Sequence, residues 1–176
     1  MINEKDIIRR CQKGDGNAFS EVVTHYQDRI YNTVQQMINN PADALDVCQE
    51  AFLKAFQNIG EFQGGSSFST YLFQIAINEC LNYRAKRARA KTGLNEKMVA
   101  WAEEVSDPAA EKNQYEYIQQ TLDSLEPGLK DIVVLKDMEG LSYAEVAQAL
   151  NISVSNVRTG LDRARDILRG KLKNLL

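Results

Sequence analysis

Histidine is nearly missing from this chain: His25 is the only one among 176 residues. The three cysteines, Cys11, Cys48 and Cys80, are far apart and odd in number. Neither a zinc cluster nor a disulfide framework is therefore expected, and each thiol reads as a small buried apolar group. No Gly-rich phosphate loop accompanies the carboxylates, so an enzyme is poorly supported and neither a cofactor nor a metal is called for. Apolar runs of membrane-spanning length, about 20 residues, are lacking, and the start MINEKDIIRR has no signal-peptide core. No membrane insertion is expected, and the expected location is the cytoplasm. An excess of positive charge is lacking as well. The formal net charge is -3, but Lys and Arg number 11 against 10 Asp and Glu in residues 1–92, 2 against 5 in 93–112, and 8 against 9 in 113–176. The excess acid sits in the middle, and for nucleic-acid binding the distribution of charge matters more than its sum.

What is present is best specified between Leu141 and Arg165, LSYAEVAQALNISVSNVRTGLDRAR. Ser142 can cap a first helix with Glu145 returning the hydrogen bond three residues on, and Leu141 and Val146 stand at the two staple positions. Tyr143, Val146, Ala147 and Leu150 recur at helical spacing, and Asn151 stands where a left-handed residue would stop the helix. Ser153 caps a second helix on which Val157, Leu161, Ala164 and Leu168 form one apolar stripe. The opposite face carries Ser155, Thr159 and Asp162, flanked by Asn156, Arg158 and Arg163. These side chains can reach base edges and phosphates from a helix in the major groove. A helix-turn-helix on DNA is favoured over an ordinary helical hairpin with a solvated polar face.

Upstream, residues 4–13 give a short helix ended by Gly14. A long amphipathic helix from Asn17 then runs to the Asn39-Asn40-Pro41 break. Pro41 opens a third helix with Leu45, Cys48, Phe52 and Phe56 predicted inward and Asp43, Asp46, Gln49, Glu50 and Lys54 outward. After the loop GEFQGGSS, a fourth helix starts near Ser69 or Thr70, turns Leu72, Ile75, Ala76 and Leu81 inward, and ends in the basic run RAKRARAK, 84–91. Phe62, Phe68, Tyr71, Phe73 and Tyr83 crowd the residues before that positive charge. Aromatic faces beside a basic groove suit single-stranded nucleic acid, although Phe68, and to a lesser degree Phe62, read as core. Residues 93–112 have little periodicity and read as a linker, with Trp101 either a buried anchor or a partner contact. Helices near 115–125 and from Pro127 to Met138 precede the helix-turn-helix. The fold class is thus all-α: two small helical domains, 1–92 and 113–176, joined by a flexible acidic linker, 93–112.

Three blocks, DALDVCQEAFLKAF, FQGGSSFSTYLFQIAINECLNYRAK and LDSLEPGLKDIVVLKDMEGLSYAEVAQALNISVSNVRTGLDRAR, together resemble regions two and four of bacterial sigma factors of the extracytoplasmic-function (ECF) type. The resemblance implies a protein that is no enzyme, binds core RNA polymerase, directs it to promoter DNA and is controlled by an anti-sigma factor. It assigns Asp43, Asp46, Gln49, Glu50 and Leu53 to polymerase docking. By residue chemistry alone that row is a solvated acidic face. It assigns Phe62, Tyr71, Phe73 and Asn78 to the opened minus-ten element and Lys86, Arg87 and Arg89 to its phosphates. Extruding a base costs a few kcal/mol, and stacking on an aromatic returns about 1–3 kcal/mol. Lys136, Arg158, Thr159, Asp162 and Arg163, beside Ser155 and Asn156, match the minus-thirty-five contacts. The acidic linker matches the segment that passes through the polymerase.

The sequence departs from the family at Tyr71 (usually Trp), Ile77 (often Arg), Leu45 (usually acidic) and Gly160 (often Arg). The second and fourth departures each remove an expected phosphate contact. Glycine inside a helix costs roughly 1 kcal/mol against alanine, so Gly160→Arg is expected to stabilise the second domain and to restore a cation. Two other functions fit parts of the pattern. One is a dimeric helix-turn-helix regulator that binds DNA without polymerase, and the other is a helical interaction module with no DNA role.

Overall fold

The computed structural model describes residues 4–93 and 114–173, and among them every regular element is helical. The N-terminal unit comprises α1 (Glu4–Gln12), α2 (Gly16–Ile38), α3 (Pro41–Gln57), a 3-10 turn (Ile59–Glu61) and α4 (Phe68–Gly93). The C-terminal unit comprises α5 (Gln114–Asp123), α6 (Pro127–Val133) running on into one π turn (Val134–Met138), α7 (Tyr143–Leu150) and α8 (Val154–Leu172). The acidic stretch, with Trp101, lies outside the described residues.

Short polar residues set the corners. Asp15 caps α2 by accepting from the backbone N–H groups of Asn17 and Ala18. At the α2–α3 corner Asn39 turns left-handed at φ 57° to stop one helix, while Asn40 caps the next and Pro41 occupies its first turn. Ala44, Ala51 and Ala55 share one face of α3 and are fully buried. Having almost no side chain to displace, they let α3 pack closely on its neighbours. Phe68, Leu72, Ala76 and Cys80 supply the facing side of α4. Cys11, Cys48 and Cys80 are free and buried, as the sequence suggests. Leu45 and Phe56 depart from expectation: they are 51% and 38% exposed, because the inward face of α3 is narrower than the apolar spacing implies.

In the second unit the expected devices form. Ser142 and Glu145 close a capping box, Asn151 is left-handed at φ 53°, and the Ser153 hydroxyl accepts from the Asn156 N–H. Val157, Leu161 and Ala164 bury the inner stripe of α8.

The two units also pack directly on each other. Arg84 on α4 holds Asp131 on α6 in a fork of 2.6 and 2.9 Å and donates to the Met37 carbonyl. Arg29 on α2 donates to the Glu139 carboxylate at 2.7 Å and to its carbonyl at 2.8 Å. The Thr33 hydroxyl donates to the same carboxylate at 2.6 Å. Lys130 reaches Asn39 at 2.8 Å, and Thr70 donates to Glu145 at 2.7 Å. Lys130 and Asp131 are consequently buried. Burying paired charges returns little net stability, but breaking one pair is costly, so such contacts fix how the two units fit.

Candidate nucleic-acid interface

Three surfaces carry the residues singled out above. On α3, Asp46, Gln49, Glu50 and Leu53 are exposed and Asp43 is half-buried. Leu45, Gln49, Leu53 and Phe56 follow one another at helical spacing, so the acidic face contains an apolar strip, with Leu53 50% exposed. An apolar strip rimmed by charge is the usual composition of a protein docking surface. Asp43 is engaged from α4: it accepts from the Tyr83 hydroxyl and from Arg87 at 3.2 Å, while Arg87 also donates to the Tyr83 hydroxyl at 2.6 Å.

On α4, Tyr71, Asn78 and Arg89 share one stripe at spacings of seven and eleven residues, and Asn78, Lys86 and Arg89 are exposed. At its start an aromatic cluster closes the loop. The Phe62 ring meets Phe68 edge-on at 5.6 Å and Tyr71 at 5.0 Å, and Gln12 donates to the Phe62 carbonyl at 2.9 Å. Burial pushes the Tyr71 phenol above its ordinary range. Among the described residues its hydroxyl is the one buried side-chain polar atom without a hydrogen-bond partner.

The third surface is the outer face of α8. Ser155, Asn156, Arg158, Thr159, Asp162 and Arg163 are all exposed. The Thr159 hydroxyl donates to the Ser155 carbonyl at 3.0 Å. Tyr143 presents its ring to both Lys136, at 5.1 Å, and Arg158, at 5.2 Å, which ties Lys136 to the edge of the α8 face.

Residues 22–90 match the family model for Sigma-70 region 2, and residues 115–168 match that for Sigma-70, region 4. The chain is 30% identical over 187 residues to the ECF RNA polymerase sigma-E factor of Haemophilus influenzae, spanning 100% of this chain and 98% of the relative. The chain belongs to the ECF sigma factors.

The sigma-E factor of Escherichia coli K12 is similar to the same degree, at 30% identity over 100% of this chain and 97% of its own. Among solved structures, the sigma factor RpoE in complex with the anti-sigma factor NepR from Bartonella quintana shares the fold. It gives a TM-score of 0.73 at 21% identity over 88% of this chain and 96% of that one. CnrH in complex with the cytosolic domain of CnrY gives 0.68 at 22% identity over 97% of both chains. As an ECF sigma factor the chain directs promoter-specific transcription initiation by RNA polymerase.

Against that identity, three expectations change. Phe73 is fully buried and not on the open stripe. It lies between Thr70 and Arg84 on the side of α4 tied to the C-terminal unit, with the Arg29 guanidinium 4.8 Å from its ring. Ile77 is on that same side and also buried, so an arginine there would not face solvent in this arrangement. Gly160 is buried against Ile132 and faces the interior of its own unit, so it replaces no phosphate contact. The residues the sequence pattern missed are those of the seam, above all Arg29, Thr33, Arg84, Asp131 and Glu139. One signal for them was present: Lys130 and Asp131 interrupt the apolar run of GLKDIVVL, where an unpaired charge would be expensive.

Proposed function

We propose that this sigma factor divides its labour between residues 1–92, which dock on core RNA polymerase and take up the minus-ten element, and residues 113–176, which read the minus-thirty-five element as duplex. The observation that carries this reading is the exposed hydroxyl, amide and arginine face of α8, in the same chain as an exposed basic end of α4. Arg158, Thr159, Asp162 and Arg163, with Ser155, Asn156 and Lys136, contact bases and phosphates in the major groove. Tyr71, Asn78 and the Phe62 cluster hold unpaired bases, and Lys86, Arg87 and Arg89 follow the phosphates. Phe73 joins them only when uncovered. Asp43, Asp46, Gln49, Glu50 and Leu53 form the polymerase-docking face, and the exposed apolar strip on α3 supports that role. The chain performs no catalysis of its own and works in the cytoplasm.

An anti-sigma factor is the expected regulator, by analogy with the complexes of RpoE with NepR and of CnrH with CnrY. The test is run-off transcription with core polymerase on promoter templates. Specific transcripts dependent on the added chain support the reading. Tight sequence-specific DNA binding by the chain alone, unchanged by polymerase, would favour a regulator that acts without it.

A further inference from the structure

None of the residues assigned above lies on α1, yet both ends of that helix reach the aromatic cluster of Phe62, Phe68 and Tyr71. At its start the Glu4 carboxylate accepts from the Tyr26 hydroxyl at 2.6 Å, and the Tyr26 ring packs 6.1 Å from Phe68. At its end the Gln12 side-chain amide, from its one nitrogen, donates to the Ile59 carbonyl at 3.2 Å and to the Phe62 carbonyl at 2.9 Å. Both hydrogens of that nitrogen are thereby used, on residues 47 and 50 positions away. The two carbonyls bracket the 3-10 turn Ile59–Glu61, which closes through the Phe62 N–H donating to the Ile59 carbonyl at 3.2 Å. Gln12 pulls from a firm base. Ile7, Ile8 and Cys11 are buried on the inner side of α1, and Arg10 binds Asp15 at 3.0 Å and Glu21 at 3.1 Å. The segment it holds leads into a glycine pair: Gln63, Gly64 and Gly65 follow Phe62, and Gly64 is left-handed at φ 75°.

We infer that Gln12 is a positioning residue for the unpaired strand: by fixing the Phe62 carbonyl it keeps the Phe62 ring against Tyr71 before DNA arrives. This rests on the minus-ten role proposed above for that cluster. The gain is one of preorganisation, because a ring carried beside two glycines and not held in place must be ordered at the moment of binding, at a cost in affinity. Gln12 itself is exposed and adds little to the core. Helix α1 thus takes part in base holding without touching a base.

The test uses the full chain and two labelled single-stranded DNAs of equal length, one of mixed sequence and one abasic throughout, with binding read by fluorescence anisotropy. Both strands carry the same phosphates, so the ratio of their affinities isolates contacts to bases and cancels changes in charge. Gln12→Met keeps the length and neutrality of the side chain but removes both donors. It should lower that ratio about fivefold, the size of one net hydrogen bond. Gln12→Lys keeps donors at the same reach and should hold the wild-type ratio. Phe62→Ala should lower the ratio, and adding Gln12→Met to it should lower it no further, because the two residues act through one contact. Thermal melts of the Gln12 variants should move little, as for other exposed positions. If circular dichroism shows that Gln12→Met loses helicity, Gln12→Ala, too short to reach either carbonyl, replaces it with the same expectation. A ratio unchanged by Gln12→Met but lowered by Phe62→Ala overturns the inference and leaves the minus-ten reading standing. An equal loss on both strands also overturns it, as the mark of a general loosening. A ratio indifferent to Phe62 overturns the minus-ten role of the cluster and the inference together.

Discussion

A Cβ placed on Gly160 would lie 2.6 Å from the Cδ1 of Ile132 and 3.5 Å from the Cδ2 of Leu129. Helix α8 thus crosses α6 with a glycine at the point of closest approach, which explains a residue that helix propensity alone would reject.

The first prediction follows from that crossing. Gly160→Arg should lower stability by about 1–3 kcal/mol, because a long side chain must displace Ile132 and Leu129 from a packed interior. Gly160→Ala should stay within about 1 kcal/mol of wild type, the helix-propensity gain offsetting the shift of a flexible Ile132 end. Thermal melts of the three proteins check this. The salt dependence of duplex binding should be unchanged in Gly160→Ala, because position 160 faces Ile132 and not DNA.

Leu53 offers the opposite case, an apolar side chain left half in water. Leu53→Glu should leave the melting temperature nearly unchanged, within about 0.5 kcal/mol, as expected for a surface position. Association with core polymerase should weaken by at least about tenfold, since a charge then faces the partner's desolvated surface. A pull-down titration against core enzyme, run beside the melt, separates docking from folding. Equal affinity for the two proteins would remove Leu53 from the docking face.

Asp43 and Arg87 were assigned to different partners, polymerase and minus-ten phosphates, yet they form an ion pair with Tyr83 between them. Asp43→Ala should cost less than about 1 kcal/mol in stability, the usual ceiling for an exposed pair. It should free Arg87 for phosphate and steepen the log–log salt slope for single-stranded DNA by about 0.7. The double variant Asp43→Ala/Arg87→Ala should lose that extra slope.

The pH prediction centres on Glu145. Hydrogen bonds from the Ser142 backbone N–H, and then from the Thr70 hydroxyl, hold its carboxyl below the ordinary range. A depressed carboxylate contributes stability that is present above its unfolded value, about 4.3, and is lost as pH falls through the folded value. Melting temperature should therefore drop below about pH 5, and less steeply in Glu145→Gln, which keeps a capping side chain without the titration. Comparing the two proteins isolates Glu145 from Asp131, whose carboxyl burial pushes upward against the pull of Arg84. Asp131 thus contributes with the opposite sign. Equal acid slopes would show that the Glu145 contacts do not persist in solution.

Local devices were legible in the sequence because they are written in neighbouring residues. The Ser142–Glu145 box, the Asn151 stop, the Asn39-Asn40-Pro41 corner and the inner stripe of α8 each follow from spacings of a few positions. The long-range fit was not. Arg29 and Glu139 are 110 residues apart, and nothing in the periodicity of α2 marks one exposed arginine as a seam residue. Helix α4 misled for a related reason: it is apolar on two sides, one for each unit, so a single inward face could not be read from it. Phe73 was assigned by resemblance to an open surface, and the structure shows it buried, with the Arg29 guanidinium of α2 over its ring.

The buried thiols have a practical consequence. Burial pushes Cys48 and Cys80 up to about 12, and Cys11 is raised too, so at neutral pH almost none of their sulfur is in the nucleophilic thiolate form. A single cysteine introduced on an exposed position of α8 or α4 should thus react with maleimide dyes or spin labels far ahead of the native three. The fit of the two units can be probed in the otherwise natural sequence, with no need to strip its cysteines first.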